Sequence, residues 1–363
     1  MAITIDAIYI YPIKSCRGIA VQSAAISQYG LELDRFWVLS DLEGNQVTQR
    51  KHPRLALVSP RIKLNTLSEQ HDIPVNAYHL GGQLIVSAPG MEKDLVIEFK
   101  NQSCASMRRQ VQVWASLVDG LDEGDEAAEW FSKYLEMDVR LLVKDVSCIR
   151  SLDKRHVPAR KLFSHEPQTA FSDGFPFLIT NTASLADLNT RLATKDISPV
   201  SMENFRPNIV ITSPSLAPYT EETFVKLSVN GANMLYIASR CTRCTLPNNN
   251  PVTGIPHVRE PLATLMQYRR SDPGAQFKAC FGMNAIQATT GWTLRTGDVV
   301  TVVEQGVHDQ RGVWLGNETI SLVGKEECKQ LVRADDRWWR FYNALMSWWT
   351  LSIAPVIWSW WPL

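Results

Sequence analysis

Short runs of β-branched and aromatic residues, broken by Gly, Pro and Asn, set the pattern of the first third of the chain. Ile8-Tyr9-Ile10-Tyr11 predicts a strand, and Pro12 ends its ladder because proline has no N–H to donate. Asp34-Arg35-Phe36-Trp37-Val38-Leu39 predicts a second strand, Asp41 to Asn45 a hairpin turn, and Gln46-Val47-Thr48 an antiparallel return. The β-rich pattern holds to about residue 115. One amphipathic helix follows, capped by Asp125, with Ala127, Ala128, Phe131 and Leu135 on its buried face.

Strands and helices then alternate. Phe177-Leu178-Ile179 predicts a strand, and Thr182 caps a helix that carries Leu185, Leu188 and Leu192. Phe205 to Ile211 predicts another strand, with Arg206 and Asn208 on one face by period two. Pro207 between them demotes that end to an edge or a bulge, where side chains reach a ligand. Met234 to Ala238 predicts a short buried strand, and Asn248 to Gly254 a run of turns. Glu260-Pro261 starts a helix that stops at Asp272-Pro273-Gly274, and Asp298 to Val303 is the last strand of the folded body.

The end of the chain differs in kind. Residues 306 to 340 predict a linker, and Phe341 to Leu363 contains no charged residue. Seven of the twelve tryptophans lie at Trp338 or beyond. As a helix this stretch is long enough for a bilayer's hydrocarbon core, which takes about 20 residues. Pro355 and the central Trp348-Trp349 favour a helix lying in the interface as a rival to a span. A tail packed on the body or on a second subunit is the third reading. The expectation is a protein held on the cytoplasmic side of a membrane by residues 341–363.

Composition narrows the classes. Lys+Arg and Asp+Glu both number 37, so no global field draws in nucleic acid, and none is expected as a partner. Seven cysteines, an odd number scattered over 363 residues, do not form a disulfide framework and suit a reducing compartment. Met1 to Asp6 runs straight into a strand pattern without a signal-peptide profile, so the body is expected to be cytoplasmic.

Candidate chemistry centres on Arg240-Cys241-Thr242-Arg243-Cys244. A cysteine at a strand end between arginines suits a thiolate, the form that binds soft metals. It equally suits a small core residue. The Cys241-x-x-Cys244 pair also admits a thiol-redox centre, whereas a zinc site lacks a second cysteine or histidine pair. Lys14 and Ser15, leaving a strand end, suit an anion or an ordinary turn. Arg35 in an apolar setting needs either an anionic ligand or Asp34. The basic run from Arg150 to Lys161 suits a solvated loop, or a rim that guides an acidic donor protein.

Eight segments in order resemble the MOSC-domain family, in the branch of the amidoxime-reducing components and the N-hydroxylaminopurine reductases. They are IYPIKSCRGI (10–19), DRFWVL (34–39), VTQRKHPRLALV (47–58), SDGFPFLI (172–179), SLADLN (184–189), FRPNIVI (205–211), RCTRCTL (240–246) and EPLATL (260–265). The resemblance implies an α+β, β-rich fold: a MOSC-type β-barrel with a smaller N-terminal α/β module and a hydrophobic tail. It implies a module over 1–140, a MOSC domain over 141–305 sharing its site with residues 8–40, a linker over 306–340 and the tail over 341–363.

The family resemblance further implies a molybdenum cofactor, a pterin dithiolene with a terminal phosphate whose metal takes one protein thiolate. Cys244 would be that ligand, with Thr242 and Arg243 in the same turn. Lys14, Ser15, Arg35, Arg206 and Asn208 would contact the pterin and phosphate. Asp173 is a candidate proton donor. Asn284 stands where the animal proteins carry an aromatic residue. Only Cys280 and Cys328 follow Cys244, too few for the iron–sulfur domain that bacterial relatives append. The implied activity is reduction of N-hydroxylated compounds, amidoximes and N-hydroxylaminopurines, with electrons from a separate ferredoxin- or flavin-type donor protein. The alternative is a non-catalytic carrier of the cofactor or of its sulfur.

Overall fold

The first strand of the chain belongs to a barrel whose other strands lie between residues 177 and 305. In the computed structural model, which describes residues 2–65, 72–99 and 108–308, the elements that position the site are these. Along the chain they run β1 (Ile3–Ile10), β2 (Trp37–Asp41), β3 (Arg108–Val113), β4 (Ser116–Asp122), α1 (Asp125–Leu135), β5 (Val139–Lys144) and β6 (Phe177–Asn181). Then come α2 (Thr182–Ala193), β7 (Ile209–Thr212), β8 (Phe224–Val229), β9 (Asn233–Thr242), α3 (Leu262–Tyr268), β10 (Cys280–Gln287) and β11 (Val299–Gln305).

Seven strands close into a barrel in the order β7, β6, β10, β9, β8, β11, β1, and β1 pairs back onto β7. Thr4 faces Thr212 and Ile8 faces Ile209 on one side of β1, while Ile3 faces Val300 on the other. A bulge between Ile5 and Ala7 shifts the register along this strand. Ile5, Ile8 and Ile10 point inward and are buried, each removing about 1.5–3 kcal/mol worth of apolar surface from water. The first half of the chain adds a four-stranded antiparallel sheet, β3-β4-β5-β2, backed by α1 through Phe131 and Leu135. Strand pairing therefore crosses residue 140 in both directions: β1 completes the barrel, and β5 completes the first sheet. The fold is mostly β with a few helices, as expected.

Several element boundaries differ from expectation for local reasons. The strand expected from Asp34 begins only at Trp37, because Arg35 sits at φ 48° and turns the chain. Likewise β7 begins at Ile209, because Arg206 at φ 57° breaks the extended run that period two assumed. Asp125 is the first helical residue of α1 rather than its cap, and Gly124 at φ 103° takes the cap position. Asn181, not Thr182, caps α2, its side chain accepting the amide N–H of Ala183. The cysteine strand is longer than expected, since β9 runs to Thr242 and carries Cys241. Past the barrel, the Gly306 amide N–H donates to the Thr223 carbonyl oxygen and His308 is buried with a ring nitrogen 2.6 Å from the Phe224 carbonyl oxygen, so the start of the expected linker is tied to the barrel although Val307 is exposed. The rest of the linker and the 341–363 tail lie outside the described residues. No helix among the described residues is long and apolar enough to cross a membrane.

Gly282 shows how tightly β10 and β6 are fitted. It lies in β10 with φ 79°, and a Cβ there would come 2.8 Å from the carbonyl oxygen of Ile179. Gly282→Ala combines an unfavourable backbone with a backbone clash, so we expect a loss of about 3 kcal/mol. A denaturant titration measures it, and an unchanged midpoint would mean that β6 and β10 yield at no cost.

Candidate functional site

Loops at strand ends supply the site. Lys14 and Ser15 follow β1, Arg35 precedes β2, and Asp173 precedes β6. Arg206 and Asn208 precede β7, while Thr242 ends β9 and Arg243 and Cys244 follow it. All nine residues named from the sequence line one cleft of about 140 Å³. Arg50, Cys241, Phe175, Phe205 and Asn284 line it as well. Two bulges in the β9–β10 pairing, between Ile237 and Ser239 and between Arg240 and Thr242, redirect the end of β9 toward the cleft.

Backbone strain gathers here. Ser15, Arg35 and Arg206 adopt φ of 71°, 48° and 57°. Left-handed backbone in non-glycine residues costs about 1–3 kcal/mol each and persists only where the surroundings impose it. At these positions it turns a serine and two arginines into the cleft.

The cations are arranged around Tyr11, a residue that sequence reasoning did not assign to the site. The guanidinium carbons of Arg35 and Arg206 each lie 4.2 Å from its ring centroid. Arg35 donates from Nη1 to both carboxylate oxygens of Asp34, at 2.8 and 2.7 Å, and from Nη2 to the Arg206 carbonyl oxygen at 3.0 Å. Asp34 also accepts the Tyr11 amide N–H at 2.8 Å. So the Asp34 partnership considered from the sequence is present, and Arg35 faces the cleft nonetheless. Arg206 donates from Nη1 to the Cys16 carbonyl oxygen at 2.6 Å, while its buried Nη2 has no partner. Burial pushes its pKa down to about 10, and the Arg35 charge adds to the effect.

Of the two arginines that flank Cys241 in sequence, one reaches a thiol, and Cys244 meets an arginine from another part of the chain. Arg243 places Nη1 3.1 Å from Cys241 Sγ and donates from Nη2 to the Phe205 carbonyl oxygen at 2.9 Å. Its Nε is buried without a partner. Arg50 places Nη1 3.6 Å from Cys244 Sγ. Arg240 takes no part: it pairs with Glu222 at 3.0 Å and Asp272 at 3.5 Å. Arg50 stands in a segment quoted for the family resemblance, but nothing in its local pattern marks it as facing a cysteine 194 positions away.

Lys14 donates to the Phe171 carbonyl oxygen at 2.8 Å and ion-pairs with Asp173. Burial lowers its pKa to about 8, against the opposing pull of Asp173. Asp173 does not fit the proton-donor role. Desolvation works to raise its carboxyl, but Lys14 and Arg50 outweigh it and hold the group well below the usual carboxylate range. With its side chain 55 % exposed toward the open cleft, the neighbouring charges decide its state. Asp173 is an ionised acceptor here. Asn208 is chiefly a clamp, donating to the Tyr9 carbonyl oxygen and accepting the Leu178 amide N–H, both at 3.2 Å. In the basic run, Lys154, Arg160 and Lys161 are exposed, as a solvated loop requires. Arg150 is buried and donates to the carbonyl oxygens of Ala170, Ser172 and Asp173, which shapes the 170–173 loop.

The lining is lopsided in charge. Lys14, Arg35, Arg50, Arg206 and Arg243 face one lining carboxylate, Asp173. Like charges held together at low dielectric favour an anionic ligand, and the unpaired Nη2 of Arg206 and Nε of Arg243 are donors without acceptors. Among the described residues no group of three His, Cys, Asp or Glu side chains could hold a metal, so the protein offers a soft metal a thiol rather than a cage. These residues fit an anionic, metal-bearing cofactor.

Family models match both parts of the chain: the MOSC N-terminal beta barrel domain over residues 2–138 and the MOSC domain over 166–301. Mitochondrial amidoxime-reducing component 1 of Mus musculus is 34 % identical over 83 % of this chain and 83 % of its own length. The chain belongs to the MOSC-domain family. Mitochondrial amidoxime reducing component 2 of Bos taurus is 35 % identical over 74 % of this MOSC chain and 73 % of its own. Molybdenum cofactor sulfurase of Solanum lycopersicum is 30 % identical over 77 % of this chain but only 32 % of its own length. These relatives tie the chain to functions related to the molybdenum cofactor.

The Asp34–Arg35 pair yields a prediction on the site itself. Asp34 is buried, and deleting one partner of a buried ion pair costs about 3–5 kcal/mol. We expect Asp34→Ala to lower stability by that amount in a urea titration. Asp34→Asn keeps an acceptor for the Tyr11 amide and should recover part of the loss. Equal midpoints for Asp34→Ala and the native protein would mean that Arg35 finds another counter-charge.

Proposed function

We propose that this protein is a molybdenum-cofactor-dependent reductase of N-hydroxylated compounds, amidoximes and N-hydroxylaminopurines, fed by a separate electron-donor protein. The observation that carries this reading is the convergence of Lys14, Arg35, Arg206, Arg243 and Cys244 from distant segments on one cationic cleft. The names of the amidoxime-reducing relatives support the reaction class.

Cys244 would be the sulfur ligand in this scheme, and Arg50 stands beside it with Nη1 3.6 Å from its sulfur. Arg206 and Arg243 hold the cofactor's anionic parts through their spare donors. Ser15 and Thr242 add hydroxyl donors from the cleft wall. When bound, the cofactor would supply two-electron reduction chemistry, the overall reaction taking an N–OH group, two electrons from the donor protein and two protons to N–H and water. Asp173 holds Lys14 and Arg50 at the mouth and accepts hydrogen bonds from the substrate, so protons arrive through water. The donor protein is of ferredoxin or flavin type, and the tail over 341–363 holds the protein to the cytoplasmic face of a membrane. The sulfurase relative favours one second reading, a carrier of the cofactor or its sulfur without turnover.

Metal and pterin analysis of the purified protein tests the reading. We expect about one molybdenum per chain, its loss in Cys244→Ala, and a largely empty Arg206→Ala, since an unpaired buried partner costs about 3–5 kcal/mol. Benzamidoxime should be reduced with an artificial reductant and not with NADH or NADPH alone. Full molybdenum and activity in Cys244→Ala would overturn the assignment. Cofactor retention with no turnover of any N-hydroxylated compound would favour the carrier.

A further inference from the structure

The hairpin joining β3 to β4 carries a residue that its turn does not favour. Val113 pairs with Ser116, which leaves Trp114 and Ala115 alone in the turn. Such turns prefer Gly, Asn or Asp where φ is positive, yet Trp114 stands there at φ 55°. A bulky residue in this conformation is an outlier, and such outliers gather at functional sites. Its side chain is 53 % exposed, a large flat apolar surface left open to water.

The indole is nevertheless tied to the cleft. The guanidinium of Arg50 lies 4.7 Å from its ring centroid. The same Arg50 reaches 3.6 Å to Cys244 Sγ and 3.9 Å to the Asp173 carboxylate. Trp114 also helps to hold the Asp173 carboxyl low. The ring is therefore engaged by a cation of the site and, though not itself in the lining, adjoins the cleft through Arg50 and Asp173 while about half of the residue stays exposed. Phe175, in the lining itself, is a second aromatic surface two positions from Asp173.

We propose that Trp114 is a specificity-determining platform that stacks flat substrates, N-hydroxylated nucleobases and aryl amidoximes, and so selects them over aliphatic ones. The proposal rests on the reductase reading above and names the substrate class of the same cleft. Stacking on an indole is available to any planar π system and not to an alkyl chain. Ionised Asp173 beside it accepts the N–H of an amidine or an exocyclic amine, a group that both classes of flat substrate carry. The ring recognises the plane, and the carboxylate sets the direction in which the N–OH points.

The test compares native protein, Trp114→Ala, Trp114→Phe and, as a control on the same hairpin, Leu117→Ala, all loaded with cofactor. For benzamidoxime against an aliphatic amidoxime, Trp114→Ala should cut the kcat/KM ratio by about tenfold or more, mainly through KM. Trp114→Phe should restore most of the ratio, and Leu117→Ala should leave it unchanged. Binding of adenine and benzamidine by equilibrium dialysis reads the platform without turnover and should weaken in parallel. An unchanged ratio with unchanged adenine affinity in Trp114→Ala overturns the platform. Loss of molybdenum from both Trp114 variants overturns it too, because the residue would then be a structural part of the site. If the native protein reduces no N-hydroxylated compound, the reductase reading fails, and the dialysis still decides whether Trp114 stacks flat ligands.

Discussion

Two guanidinium groups held against one tyrosine ring are the constraint on which the rest of the cleft depends. Arg35 and Arg206 both stand 4.2 Å from the centre of Tyr11, in a part of the molecule where charges are poorly screened. Asp34 neutralises one of them, and the other keeps an unpaired N–H. Left alone, such a pair would move apart. Strained turns at both arginines prevent that, and so does barrel closure. The pairing of Ile8 with Ile209 fixes the strand that leads to Tyr11 against the strand that follows Arg206. The Tyr9 amide N–H, donating to the Asn208 carbonyl oxygen at 3.0 Å, locks the same junction. The barrel supplies the rigidity that keeps like charges together, and the result is a standing preference for an anion.

Much of this was legible in the sequence because the side chains carry their chemistry with them. Arginine, lysine and cysteine in segments with a family order pointed to a shared cleft, and all nine residues do line one. What pattern reasoning lacked was backbone conformation. Period two put Arg206 and Asn208 on one face of a strand, yet Arg206 reaches the cleft through a left-handed turn and Asn208 through its position beside β1 and β6. Arg35 was read within a strand for the same reason. Tyr11 and Arg50 escaped notice because their roles arise only from tertiary contacts. A tyrosine before a proline looks like strand core, and an arginine in a basic loop looks like solvated surface.

The cysteine stretch shows how local charge patterns mislead. Arg240 and Arg243 flank Cys241 in sequence, and the spacing alone places both beside the thiols. A bulge between Arg240 and Thr242 separates their fates. Arg240 turns into a buried ion-pair cluster with Glu222 and Asp272, where Arg269 also meets Glu222. That cluster anchors the strand from behind. Arg243 goes to Cys241, and a residue from the other half of the chain, Arg50, comes to Cys244. The cation beside the metal-ligating candidate is therefore one that no inspection of the RCTRC segment reveals. Asp173 followed the same logic in reverse: a carboxyl placed among cations is an acceptor.

The two halves of the chain both supply the site. The barrel contributes the strained Arg206 turn and the cysteines, elements that must not move. The first half contributes Lys14, Arg35 and Arg50, and above them the β3–β4 hairpin with its exposed indole. Polar ties cross the junction without depending on the cleft's own charges. Arg17 donates to the Pro251 carbonyl oxygen at 2.8 Å, and Asn249 donates to that of Pro53 at 2.9 Å. Because these bonds end on backbone carbonyls, side-chain changes at the rim leave them intact. Strand pairing and these bonds hold the cleft's cations in place whatever the uncharged side chains around it are. Phe175 and Asn284 in the lining, and Trp114 beside Arg50, lie outside that charged set, so they can differ without loosening the hold on an anion.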